Sequence, residues 1–113
     1  MVVNKKVLQG RNNICGEWGH ITLPNKTDDE KKYVNKCYCG KSGCIETYLS
    51  GPGFSSSFNL RYSKDYDTHL IIKGCEENDE NCREAINRYI DHLARGLSIV
   101  CNILDPDVIV LGG

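Results

Sequence analysis

The sequence predicts an α/β protein, and two observations carry the prediction. Glu84 to Leu104 repeats apolar residues at helical spacing, and Val108 to Leu111 is a continuous apolar run behind a proline-marked turn. A run apolar on both faces is what a parallel strand covered by helices requires. The Gly112-Gly113 pair then places a loop at the strand's carboxyl end, where such folds bind ligands. A third observation is chemical: in CYCGKSGCIE, Cys37 to Glu46, three thiols crowd around two glycines.

Met1 to Leu8 reads as a hairpin turning at Asn4-Lys5, with strand-like residues on either side. Gln9 to Asn13 is polar loop. Gly16 to Leu23 sets Glu17, Trp18 and His20 between glycines, a mixture that suits a site better than a core element; Trp18 itself reads as a packing residue. Pro24 to Lys36 is charged without a hydrophobic period and reads as an exposed insertion. Ile45 to Ser50 reads as a short helix stopped by Gly51-Pro52-Gly53, and further helices are expected at Phe54 to Tyr62 and Thr68 to Gly74. In the long helix, Ile86, Ile90, Leu93, Leu97, Val100 and Leu104 share one face. Gly96 costs roughly 1 kcal/mol there relative to alanine, so it marks a close approach by another element. Asp105-Pro106 ends the helix, because the residue before proline is pushed out of the α region.

The chain has 113 residues and a net charge of −1, with no Lys/Arg cluster. That excludes the electrostatic footprint of a nucleic-acid or anionic-membrane binder. No apolar run reaches the roughly 20 residues that span a bilayer, and no signal peptide opens the chain; a cytoplasmic protein is expected. The seven cysteines are an odd number, and without a secretory signal they read as thiols, not a disulfide scaffold. Cys101 is expected in the core. Cys75 and Cys82 remain a conceivable pair in an oxidising compartment. Both chain ends read as strand material belonging to a larger fold.

Zinc takes four nitrogen or sulfur ligands in a tetrahedron at roughly 2.0–2.3 Å, so neighbouring sulfurs must be aimed at one point. Gly40 and Gly43 allow the sharp reversal this needs. Cys37, Cys39 and Cys44 supply three ligands, and His20 is the best fourth, since His69 and His92 lie in helical segments where they read as surface or packing residues.

A histidine followed by Cys-x-Cys-Gly-x-x-Gly-Cys-x-Glu, here His20, Cys37, Cys39, Gly40, Gly43, Cys44 and Glu46, resembles the signature of the ROK proteins, named for repressors, open reading frames and sugar kinases. GEWGH, CYCGKSGCIETYLSGPGF and NILDPDVIVLGG look like its sugar-kinase branch, especially fructokinases and mannokinases, with N-acetylglucosamine kinase and glucokinase as alternatives. The resemblance implies an actin-like, ribonuclease-H-like ATPase fold, here a partial lobe with a zinc-binding loop. It also implies hexose phosphorylation with Mg²⁺ and ATP, and a homodimer. Glu17, His20 and Glu46 would bind sugar hydroxyls; without it the two carboxylates read as solvated surface groups. Gly112 and Gly113 would approach the nucleotide, and zinc would be structural. The sixteen residues between His20 and Cys37 exceed the family's usual gap.

No catalytic residue is assigned, because the family's amino-terminal lobe, with its phosphate loop and general-base aspartate, is not represented here. The chain therefore reads as a fragment of a ROK kinase domain: hairpin and sugar-site loop over 1–23, insertion over 24–36, zinc loop and short helix over 37–53, helices over 54–104, and a buried strand with the start of the nucleotide loop over 105–113. The rival classes are a zinc-binding interaction module and a fragment of a ROK transcriptional repressor.

Overall fold

The computed structural model describes residues 1–112. Strands β1 (Val2–Val3) and β2 (Lys6–Val7) pair antiparallel, Val2 opposite Val7 and Val3 opposite Lys6. Asn4 and Lys5 both take positive φ, 50° and 62°, as a two-residue hairpin turn that follows the strand twist demands. A single 3-10 turn, Trp18–His20, precedes five α-helices: α1 (Asp28–Lys32), α2 (Glu46–Leu49), α3 (Gly51–Tyr62), α4 (Thr68–Glu76) and α5 (Glu80–Leu104).

Most helix starts are capped by side chains that the sequence places there. Ser50 Oγ accepts from Gly53 N at 3.1 Å, Asp67 Oδ1 from Leu70 N at 2.8 Å and Asp79 Oδ1 from Cys82 N at 3.0 Å. Each cap contributes about 1 kcal/mol. Ser50 also explains a departure from the sequence reading: Gly51-Pro52-Gly53 opens α3 instead of ending α2. Proline is tolerated in a first helical turn because its missing N–H would have had no intrahelical partner.

The main core lies between α3, α4 and α5, where Phe54, Phe58, Ile71, Cys82 and Ala85 are buried. Withdrawing Phe58 or Ile71 from water stabilises the fold by about 1.5–3 kcal/mol each. Phe58 stacks on Tyr66 with ring centroids 5.6 Å apart, and the Asn59 side chain bonds both backbone groups of Tyr66 at 2.8 and 2.9 Å, tying the α3–α4 turn back onto α3. A second cluster, Leu23, Ile45 and Tyr48 with Trp18 and Ile99 against it, holds the loops that carry His20 and Cys44 onto α5.

Four expectations change. Among the described residues there is no parallel sheet; the chain is a helix-rich unit with one hairpin. Val108 to Leu111 follows α5 as expected but forms no ladder, and Val110 is 85% exposed. These apolar side chains instead line an open groove with Leu93, Leu97, Val100 and Leu104. Of the expected apolar stripe of α5, Leu93, Leu97, Val100 and Leu104 face that groove, whereas Ile86 packs on the main core and Ile90 is exposed; the helix buries Cys82, Ala85, His92 and Gly96. Small and polar residues do not register in an apolar pattern, yet they let other elements come close. Cys101, expected in the core, is exposed.

The segment 24–36 is not merely an exposed insertion. It contains α1, whose start is a capping box: Thr27 Oγ1 accepts from Glu30 N, and the Glu30 carboxylate accepts from Thr27 N. Glu30 is itself buried. Helix α5 ends at Leu104 as expected, although Asp105 adopts the left-handed region (φ 41°), its N–H bonded to Cys101 O at 3.0 Å, and not the extended conformation that usually precedes proline.

Candidate functional site

Two short antiparallel pairings bring distant residues together. Leu23 N donates to Gly43 O and Ile45 N to Ile21 O, both at 2.9 Å, so Thr22 faces Cys44 across an isolated bridge and His20 comes alongside. One loop earlier, Cys37 N donates to Lys41 O and Gly40 N to Cys37 O, again at 2.9 Å. Gly40 and Gly43 sit at φ 86° and 77°, conformations that other residues reach only with strain.

The four expected metal ligands converge. His20, Cys37, Cys39 and Cys44 each offer an atom within 4.8 Å of the others. Cys37 Sγ lies 3.4 Å from His20 Nδ1, and Cys39 Sγ 3.6 Å from Cys44 Sγ. Ligands held at zinc's bond lengths would be about 3.3–3.8 Å apart, so spacing and donor set both fit zinc. Burial pushes the Cys44 thiol up to about 11, with bonding to Cys39 and Cys37 adding to it. The Lys41 N–H bonded to Cys39 lowers that exposed thiol instead.

The second nitrogen of His20 faces the opposite way. Its Nε2 lies 3.8 Å from Glu46 Oε2 and 3.9 Å from Glu17 Oε2. Glu46 is carried by the first turn of α2, beside Gly19, where an added Cβ would come within 3.5 Å of Glu46 Oε2. The three expected hydroxyl-binding residues are therefore together. With a thiol proton or a metal on Nδ1, Nε2 would carry the ring proton, and the group would present one N–H donor and two carboxylate acceptors. Such a set matches the alternating donors and acceptors of a polyhydroxyl compound.

Sequence reasoning missed Tyr38. Its hydroxyl lies 2.7 Å from His20 Nε2, and its ring meets the imidazole edge to face at 4.9 Å. Partial desolvation, then the charge of Glu46, push its phenol upward. The only signal available was its position between Cys37 and Cys39, two members of the cluster that also contains His20.

A second polar cluster fixes the scaffold. His92 Nε2 donates to Glu30 Oε1 at 2.8 Å, and Arg95 pairs with Glu30 and, at 2.8 Å, with Asp91. Arg95 also donates to Pro24 O and Asn25 O at 3.1 Å. Burial alone would raise the Glu30 carboxyl, but bonds from Arg95, Thr27 N–H and His92 outweigh it and bring it down to about 2. Burial lowers His92. The guanidinium already supplies the positive charge between these acids, so the cluster is a structural lock and not a second metal site.

His92 is thus a packing histidine, and His69 is exposed. Trp18 packs as expected, its Nε1 donating to Gly96 O at 2.9 Å. Gly112 is exposed with nothing against it; Gly113 lies outside the described residues.

A model of the ROK family matches residues 1–113. The N-acetyl-D-glucosamine kinase of Pectobacterium carotovorum subsp. carotovorum (strain PC1) is 38% identical over 117 aligned positions, covering 100% of this chain and 38% of that protein. The enzyme of the same name from Salmonella typhi is 37% identical over 116 positions, with the same coverage. A crystal structure of a ROK hexokinase from Thermus thermophilus superposes with a TM-score of 0.83 at 26% identity, covering 99% of this chain and 35% of that one. The chain therefore spans under two fifths of the length of the relatives it matches.

Proposed function

Because the chain belongs to the ROK family, we propose that it forms the sugar-recognition part of an ATP-dependent hexose kinase, and that its sugar is N-acetylglucosamine. The observation that carries this reading is the two-sided imidazole of His20: Nδ1 lies 3.4 Å from Cys37 Sγ, while Nε2 is turned toward Glu46 and Glu17. The choice of sugar rests on the names of the relatives at 37–38% identity. They put N-acetylglucosamine ahead of the fructose and mannose suggested by the motifs.

In this reading Glu46 and Glu17 accept hydrogen bonds from sugar hydroxyls, and His20 Nε2–H donates to one. Charge-assisted bonds of this kind are roughly twice as strong as neutral ones. His20, Cys37, Cys39 and Cys44 would hold a zinc ion, which would supply rigidity to the loop from which Glu46 and His20 project. Phosphoryl transfer from Mg-ATP depends on positioning and charge stabilisation. The chain's share of that task is to hold the acceptor hydroxyl still. The base that takes its proton and the phosphate-binding loop belong to other parts of the family fold, and Gly112-Gly113 would lead into the nucleotide side.

A coupled kinase assay on a full-length protein carrying residues 1–113 tests the proposal. The expected result is a kcat/KM for N-acetylglucosamine at least tenfold above those for fructose, mannose and glucose. Equal or higher efficiency with fructose or mannose overturns the choice of sugar, and absence of phosphorylation of all four overturns the kinase reading.

A further inference from the structure

Tyr38 sets its hydroxyl against His20 Nε2, the atom that the proposed sugar site would offer to a hydroxyl. Its side chain is pinned by no contact comparable to the 2.7 Å bond with His20 Nε2, and the residue is 81% exposed. The tautomer of His20 decides the sense of that bond. With a thiol proton or a metal on the Nδ1 side, the ring proton is on Nε2, and His20 then donates to the phenol oxygen. The phenol's own proton remains free to be donated. An oxygen that accepts from the imidazole and can donate to a nearby carboxylate has the bonding pattern required of a hexose hydroxyl between His20 and Glu46.

We propose that Tyr38 is a stand-in ligand, its hydroxyl filling the sugar-hydroxyl position at His20 in the empty site and swinging out when a sugar enters. This rests on the sugar-site reading above. It goes further by making Tyr38 a determinant of affinity that acts by competition. Two oxygens cannot both lie within hydrogen-bond reach of one Nε2–H along its axis, so any sugar hydroxyl that takes this donor must displace the phenol. The exchange is inexpensive because the tyrosine is largely in solvent already, and its released hydroxyl is satisfied by water. The exposed ring then stands at the rim of the site, free to close over a bound sugar or to leave room for a bulky substituent.

Competition and direct recognition predict opposite signs. If Tyr38 competes, Tyr38→Phe removes the internal ligand and tightens sugar binding by the worth of one hydrogen bond, about two- to tenfold. If Tyr38 instead bonds the sugar, the same substitution weakens binding. The experiment is titration calorimetry with N-acetylglucosamine on a full-length protein carrying residues 1–113, wild type against Y38F, with zinc content measured in both. The expected result is a Kd lower by two- to tenfold in Y38F at equal zinc content, with KM falling more than kcat changes. In the wild type, sugar saturation should also give a tyrosine ultraviolet difference signal that Y38F lacks. Unchanged or weaker binding by Y38F, or a difference signal that survives in it, overturns the proposal while leaving the sugar site standing. Failure of both proteins to bind any hexose removes the sugar site itself, and this inference with it.

Discussion

Trp18 and Gly96 are in contact across 78 residues of sequence: the indole Nε1 donates to the glycine carbonyl at 2.9 Å, and a methyl group on Gly96 would fall 2.8 Å from the ring. Trp18 belongs to the same 3-10 turn as His20, so this contact between α5 and the turn sets where the imidazole stands. Gly96→Ala should gain up to about 1 kcal/mol of helix propensity yet lose about 1–3 kcal/mol to overpacking. The expected net result is a lower melting temperature together with a raised KM for sugar. A stabilised variant with unchanged KM would show that the turn does not depend on α5.

Metal content gives a direct check of the sulfur cluster. One zinc per chain is expected by elemental analysis, lost in Cys37→Ser and in His20→Ala. Ligand thiols must be deprotonated to bind, and Cys44 is pushed up to about 11, so zinc should be surrendered to a chelator progressively more easily as pH falls below neutral. Purified protein free of zinc, with Cys37 and Cys39 open to alkylation, would remove the assignment.

Glu46→Gln separates the two faces of His20. The amide keeps one oxygen acceptor but loses the charge, and hydrogen bonds to charged groups contribute about 1.5–3 kcal/mol. Hexose affinity of a full-length protein carrying the substitution should fall roughly ten- to hundredfold while zinc stays bound. Concerted loss of zinc and sugar would make Glu46 a structural residue.

Acid should loosen the lock between α1 and α5 in two stages of the same sign. Both His92 and Glu30 titrate below their ordinary values when folded, so the unfolded chain binds protons first. Their contribution is complete above about pH 6.5, weakens as His92 becomes charged on acidification, and weakens again as pH falls from about 4.5 toward 2 through Glu30. Glu30 accounts for about 3 kcal/mol of this. Glu30→Gln should cost a similar amount at pH 7, because it leaves Arg95 and His92 short of a buried partner. Denaturant titrations across this range should show wild type and variant converging at low pH; parallel curves would place the acid sensitivity elsewhere.

The 113-residue chain by itself should show no ATP-dependent phosphorylation of N-acetylglucosamine, fructose, mannose or glucose. A base must stand within hydrogen-bond reach of the attacking hydroxyl, and none of the chain's aspartates sits in a motif resembling the family's catalytic base. Val108, Val110 and Leu111 are exposed beside the apolar stripe of α5, and contiguous apolar surface of this kind favours association. Turnover above that of a Glu46→Gln control, by the chain alone, would relocate the catalytic machinery.

What could be read from the sequence was local. The thiol spacing, the glycines of the loop, the hairpin turn and the carboxyl end of the long helix each depend on a few neighbouring residues, and all are present in the structure, although α5 starts at Glu80, one turn before the expected Glu84. Gly96 was legible as a close approach because a glycine within a helix is costly without one. The partnership of Glu30, His92 and Arg95 was not. It joins residues more than sixty positions apart, and a charged stretch such as 24–36 looks solvated until its partner is known. The buried face of α5 is not legible as a whole, because Cys82, Ala85 and His92 do not announce an interface, whereas Leu93 and Leu97 do. Tyr38 lay in the middle of the most legible motif, unremarked because motif reasoning weighs the fixed positions and passes over the variable ones.

The clamp between residues 21–23 and 43–45 has a consequence for how this loop can vary in length. Its backbone bonds hold His20 beside Cys44 whatever lies between them, and doubling a flexible loop costs only about 0.6 kcal/mol in closure entropy. Residues can therefore be gained or lost between the histidine and the first cysteine without disturbing the cluster. In this chain the intervening segment is anchored: Glu30 makes it a strut, so shortening it would remove a buried ion network.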